Sequence, residues 1–248
     1  VKDRLGRAIA SEPLHELRVE GLTYRYPGGG GISNISFTLT QGSLTVITGR
    51  VGAGKTTLLR VLLGLLPKQS GALYWNGQPI LDPANFLVPP QAAYTPQIPQ
   101  LFSASLRENL LLGLGDAVGP EQLDRAIATA VFDRDLAAMP DGLDTLIGTR
   151  GFRLSGGQKQ RAAAARMLLR QPALMVFDDL SSALDVETEQ SLWEQLFGGK
   201  QNRDKLGFVY PPTCLVVSHR QAVLQRADQV IDLESGQVRL ASQPADFT

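Results

Sequence analysis

The sequence predicts an α/β fold: a parallel sheet built around a glycine-rich turn, an antiparallel β lobe at the N-terminal end, and an inserted α-helical subdomain. Three observations predict it. The run Gly49-Arg50-Val51-Gly52-Ala53-Gly54-Lys55-Thr56 separates a strand-like stretch, LTVIT, from a helix-like one, TLLRVLLGLL. Two further short apolar runs, ALMVFDD and TCLVVSH, are flanked by helical segments, as expected of strands buried on both faces of a parallel sheet. Between the turn and these runs, from Leu101 to about Met139, Leu and Ala recur at helical spacing, punctuated by Gly113, Gly115, Gly119 and Pro120.

In chain order, the first residues carry little pattern, and the chain opens on Val1 rather than Met. This is expected of a domain cut from a longer polypeptide, or of processing. Residues 1–13 read as a linker from a preceding segment and 14–248 as the folded domain, with the helical subdomain over about 98–160. Alternation in Leu17, Val19 and Leu22, then in Ile35, Phe37 and Leu39, predicts antiparallel strands leading into LTVIT. GGKQNRDKLGFVYPP, from Gly198 to Pro212, is polar and glycine-flanked and reads as an exposed loop. QVIDLESGQVRL reads as a hairpin turning at Ser235-Gly236.

The 248 residues carry a formal net charge of +0 and 43% hydrophobic side chains, enough for a large core and no reason for a nucleic-acid preference. The best apolar run, Leu58 to Leu66, is short and holds Arg60, so no bilayer span is expected. The single cysteine, Cys214, lies in TCLVVSH, where a buried small hydrophobe is its expected role. With no signal peptide, this favours a reducing, cytoplasmic setting.

The glycine-rich run fits G-x-x-x-x-G-K-[ST] in the strand-to-helix context that makes it a phosphate-binding loop. Successive backbone N–H groups point at phosphate oxygens, and the next helix N-terminus adds its partial positive charge. Lys55 would neutralise β and γ phosphates, and Thr56 would hold Mg²⁺. In LMVFDD, four apolar residues end in Asp178 and Asp179, at the strand edge where open α/β sheets bind ligands. Asp178 suits the Mg²⁺ shell, and Asp179 suits orienting the attacking water and taking up its proton. The bland alternative is that the two acids cap the next segment. Leu154-Ser155-Gly156-Gly157-Gln158 opens an alanine-rich helix with a small polar cap, which suits an anion and equally suits an ordinary helix start.

The phosphate loop, LSGGQ and the apolar-Asp-Asp strand, in this order, resemble the ATP-binding cassette (ABC) ATPases over nearly the whole chain. LFSASLREN and LSSALDVETE resemble the exporter branch in particular. The resemblance implies a P-loop ATPase core that binds ATP with Mg²⁺, the nucleotide held by Gly49 to Thr57. It implies that Leu154, Ser155, Gly156, Gly157 and Gln158 serve the ATP of a second cassette, so the working unit is a homo- or heterodimer around two ATP. Tyr26 would stack on adenine, favoured over Tyr24 because it stands before Pro27. Gln97 resembles the Q-loop glutamine, touching Mg²⁺ or the attacking water. Asp185 resembles the D-loop aspartate, and His219 the switch histidine that senses the γ-phosphate; in isolation both Gln97 and His219 would pass as ordinary structural residues. A transmembrane domain, fused N-terminally in the full-length chain, is the implied partner, and the cytoplasmic face of the membrane the implied location.

Two positions depart from the family pattern. Exporter cassettes usually end the strand in Asp-Glu, whereas this chain has Asp178-Asp179. The shorter carboxylate stands back from the water by about 1 Å, a misplacement that can cost about a hundredfold in rate, nearly 3 kcal/mol. In IGTRG, Thr149 stands where a glutamate is usual. Three functions are thus in contention: an exporter's motor domain, a slowly hydrolysing regulatory module of a heterodimeric transporter, and an ABC protein acting on ribosomes or DNA. The neutral charge and the exporter-like segments disfavour the third.

Overall fold

The computed structural model describes residues 13–148, 154–180, 184–199, 207–208 and 210–242. Thr149, Ser182, Ala183 and nearly all of the expected linker lie outside these residues. The chain divides into two compact units: residues 1–93, 172–178 and 210–248 form the first, and 94–171 with 179–209 the second.

In the first unit, β1 (Glu16–Arg25) and β2 (Gly31–Thr40) pair antiparallel, and β1 also pairs antiparallel with β4 (Ser70–Trp75), which continues to β5 (Gln78–Pro79). Val19 and Leu22 are three residues apart, yet both are buried. A bulge between them, at Glu20-Gly21, absorbs the extra residue and keeps both side chains on the core face. The second sheet has the order β10-β9-β3-β8-β7-β6. Its central members β3 (Leu44–Thr48), β7 (Leu174–Asp178) and β8 (Thr213–Val217) are parallel, and β7 and β8 are buried along their whole length. β9 (Gln229–Glu234) runs parallel to β3 and turns at Ser235-Gly236 into β10 (Gln237–Ser242). The expected hairpin therefore forms the edge of this sheet; β6 (Ala92–Thr95) stands at the other end.

Leu58, Leu59, Val61 and Leu62 make the buried side of α1 (Lys55–Leu62). The short α2 (Pro83–Phe86) is capped by Asp82, and α8 (Gln221–Arg226) follows β8. Cys214 is fully buried in β8, and desolvation pushes its thiol pKa far up, so it stays a neutral hydrophobe. Pro212, at the end of the stretch expected to be an exposed loop, is buried where β8 begins.

The second unit is helical: α3 (Leu106–Leu111), α4 (Pro120–Thr129), α5 (Asp133–Ala137), α6 (Gly156–Leu169) and α7 (Val186–Phe197). α6 is its axis, packed by α3 and α4. Ala162, Ala163, Ala164 and Ala165 are all buried, and their small size lets neighbours approach a helix covered on most sides. Asn109 is buried too: its side chain accepts from Phe102 N at 2.7 Å and donates to Phe102 O and Ser105 O at 3.0 Å. Arg166 on α6 donates to Asn109 O at 2.8 Å and Gln100 O at 3.2 Å. Burial, helped by nearby Arg170, pushes its guanidinium pKa down to about 10, still charged at neutral pH. The exporter-like segment LFSASLREN is thus held as one piece by a buried amide and a half-buried cation. Among the described residues, no helix is long and apolar enough to cross a membrane.

Candidate functional site

In the first unit, the site grows from the carboxyl end of β3. Gly49 takes φ 131°, and a Cβ there would stand 2.2 Å from Leu233 O, so only glycine lets the loop leave the strand beside β9. The loop closes through Ala53 N to Arg50 O at 3.1 Å, and its end is tied to the hairpin by Gly236 N to Ala53 O at 3.0 Å. Arg50, Val51 and Gly52 are exposed at its tip, with Ala53 buried beneath. Lys55 arches back, its Nζ donating to Gly49 O at 2.6 Å and Arg50 O at 2.9 Å. That places an ammonium over the concave side of the loop. Gly54 is the N-cap of α1 in a left-handed conformation, no side chain caps the helix, and its first turn holds no acid. The N–H groups and the positive end of α1 are therefore available to an anion.

Thr56 follows on the first turn, and its Oγ1 donates to Asp178 Oδ1 at 3.0 Å. Asp178 is 2% exposed, at the end of β7. A hydroxyl and one carboxylate this close make a pair of hard oxygen donors, which fits Mg²⁺ sharing its remaining positions with phosphate oxygens and water. Tyr26 stands just past β1, and its OH lies 3.4 Å from Thr57 Oγ1. Its ring meets Tyr24 edge-on, centroids 4.8 Å apart at 90°. Tyr24 is half-buried and Tyr26 exposed, so of the two it is Tyr26 that offers a free face. β8 lies beside β3, and Ser218 N donates to Ile47 O at 3.1 Å, so exposed His219 follows at the same sheet edge as the loop.

The second unit carries the remaining candidates. Asp179, the residue after β7, takes φ 53°, which is uncommon for a residue with a side chain. Gln97 is exposed, and its Nε2 donates to Asp179 Oδ2 at 3.0 Å. The main chain of Gln97 is itself held by α6, through Gln160 Nε2 to Gln97 O at 2.5 Å.

At the start of α6, Ser155 and Gln158 form a reciprocal capping box: Ser155 Oγ accepts from Gln158 N at 3.2 Å, and Gln158 Oε1 accepts from Ser155 N at 2.9 Å. Gln158 Nε2 also reaches Asp135 Oδ1 at 3.3 Å. Arg161 grips the same carboxylate with two bonds, at 2.5 and 3.1 Å, both partners largely buried. This fork fixes α6 on α5. Leu154 is buried, Ser155 and Gly156 are exposed, and Gly157 is half-buried, so the polar start of the helix faces outward. Asp185 is the N-cap of α7: it accepts from Thr188 N at 2.8 Å and Thr188 Oγ1 at 2.7 Å. These bonds, that to the Thr188 backbone first, hold its carboxyl below the usual range.

The predicted residues thus fall into two groups, one per unit, with the boundary between Asp178 and Asp179. Sequence reasoning missed Gln160, Asp135 and Arg161. Gln160 stands two residues beyond LSGGQ, but no spacing rule marks it, and Asp135 lies in a helix without a motif.

Residues 32–182, more than half of the chain, match the family described as ABC transporter. A P-glycoprotein of Caenorhabditis elegans is 35% identical over 210 residues, 85% of this chain and 15% of that protein. An ATP-dependent lipid A-core flippase of Xanthomonas oryzae is 33% identical over 219 residues, 88% of this chain and 36% of the flippase. The chain therefore spans about a third or less of the length of these relatives. A solved bacterial Atm1-family ABC exporter with ATP bound superposes with a TM-score of 0.81 at 26% identity, covering 99% of this chain and 41% of that one.

Proposed function

This chain belongs to the ABC transporter ATPases, and from that premise we propose that it is the Mg²⁺-dependent, ATP-hydrolysing motor domain of an exporter, working as a dimer of cassettes around two ATP. The observation that carries the reading is the meeting of Thr56 with Asp178 at the foot of the phosphate loop, together with the Lys55 ammonium turned back onto that loop. Backbone N–H groups of Gly49 to Thr57 and Lys55 bind the β and γ phosphates, and Tyr26 stacks on the base. Thr56 and Asp178 would hold Mg²⁺, and the family resemblance would add Gln97 as a further ligand. When bound, the ion neutralises phosphate charge.

Gln97 and Asp179 orient one water. Its oxygen attacks the γ-phosphorus, the bond to the ADP oxygen breaks, and the water's proton goes to Asp179. His219 hydrogen-bonds the γ-phosphate. Leu154 to Gln158 complete the site of a second, identical or different cassette, near the Asp185 loop. The cycle of closing on ATP and reopening after hydrolysis drives a transmembrane domain fused on the N-terminal side, at the cytoplasmic face of the membrane. Nothing in the charge balance recommends nucleic acid as a partner.

A second reading has its own observation. Asp179 is one methylene shorter than the usual glutamate and stands against Gln97 in a left-handed backbone conformation. A carboxylate so held makes a slow site, and the chain is then the degenerate member of a heterodimer. Steady-state Mg-ATP hydrolysis by the native chain beside Asp179→Glu decides. Comparable turnover in both supports the motor reading with Asp179 as the base. Near-silence in the native chain, raised about a hundredfold by glutamate, supports the second. Silence in both removes the assignment of this position.

A further inference from the structure

Gln160 is 1% exposed, on the buried face of α6 that also carries Ala163, Ala164 and Met167. Its Nε2 donates to Gln97 O at 2.5 Å, with Pro96 O at 3.5 Å. Its Oε1 is also buried and has no partner among the described residues. A buried amide with an idle acceptor is a poor packing group, and an apolar side chain of this size would fill the place without that desolvation cost. What the amide accomplishes is a grip on the main chain of Gln97, whose side chain donates to Asp179.

We propose that Gln160 is a positioning residue for ATP hydrolysis: by fastening the Gln97 main chain to α6, it sets where the Gln97 amide stands relative to Asp179. The proposal rests on the roles given above to Gln97 and Asp179. It also makes Gln97 travel with α6, whose first residues carry the LSGGQ motif, so a shift of that helix reaches Asp179 through two side chains. Gln160 is buried, and in this proposal it acts through Gln97.

The test is single-turnover hydrolysis of labelled ATP by the purified chain, with nucleotide affinity measured separately, for Gln160→Met, Gln97→Ala and the double variant. Gln160→Met is expected to slow hydrolysis about tenfold while ATP affinity stays within about twofold. The double variant is expected to match Gln97→Ala alone, because a residue acting through Gln97 has nothing left to position. Gln160→Glu, of equal size but without the donor, is the second variant and should be slow as well, which separates loss of the bond from a packing defect of the Met side chain. Losses that multiply in the double variant, or native rates in both Gln160 variants, overturn the proposal. A native rate in Gln97→Ala instead removes the underlying role of Gln97, a different failure read from a different variant.

Discussion

The two helix starts that face phosphate in this reading are built in opposite ways. α1 begins at Gly54, with no side-chain cap and no acid in its first turn. α6 begins at Ser155, with both halves of a capping box made and Gln158 pinned further to Asp135. The first end is left for a ligand to satisfy, and the second is partly satisfied by its own residues. On the proposed reading, the chain's own nucleotide would complete α1, whereas α6 would present a preformed end to the nucleotide of a second cassette. A helix end that is already capped holds its shape before any partner arrives, and its exposed Ser155 hydroxyl and Gly156 N–H remain to greet an anion.

The largest effect should come from the open end. Lys55→Ala removes the ammonium that now rests on Gly49 O and Arg50 O. Charge-assisted bonds to phosphate are worth about 1.5–3 kcal/mol each, so ATP affinity should fall about a hundredfold. Titration with a fluorescent ATP analogue checks this, and an unchanged affinity would end the phosphate-loop assignment.

At the closed end the same titration should show nothing. Ser155→Arg is expected to leave ATP binding by the monomer intact and to abolish ATP-dependent dimerisation in gel filtration. If the dimer still forms, α6 does not serve a partner's nucleotide, and the contrast between the two ends loses its meaning. Ser155→Ala is milder: it opens the capping box, at a cost of about 1 kcal/mol or roughly 2–4 °C in Tm for a chain of this size. A similar loss is not expected from Gly54→Ser. There the added side chain meets Gly31 O at 2.9 Å in a left-handed conformation, so strain should outweigh any new cap and Tm should fall further.

The geometry of the open end was legible in the sequence, because a phosphate-loop pattern is local, its residues lying within a few positions of one another. β7, β8 and the hairpin were legible for the same reason: burial on both faces and a two-residue turn leave their mark in consecutive residues. The closed end was only half legible. Ser155 and Gln158 are three apart and announce a cap, but Asp135 lies 23 residues before Gln158 and is joined to it only by the fold. Gln160 and Gln97, 63 residues apart, are joined in the same way. Val19 and Leu22 break the alternation of a strand, and only the bulge between them shows why. Side-chain bonds across long separations and backbone irregularities follow from tertiary packing, which no window of sequence contains.

The smallest predicted effect concerns a third helix start. Asp185 caps α7 through Thr188 N and Thr188 Oγ1, so α7 resembles α6 in being closed, with a carboxylate in place of a hydroxyl. Those bonds favour the charged form and lower its pKa on folding. A group with a depressed folded pKa lends stability that is present above its unfolded value and disappears as pH falls through the folded one. Asp185→Ala should therefore lower Tm at neutral pH, and the gap to the native chain should close as pH falls below the ordinary aspartate range. Asp185→Asn keeps an acceptor for Thr188 N without the charge, so it should lie between the two at neutral pH and lose its disadvantage in acid. Thermal melts of the three chains from pH 7 downward test this. A gap that stays constant with pH would mean that α7 is not held by the Asp185 charge, leaving the carboxylate free for the role its D-loop position suggests.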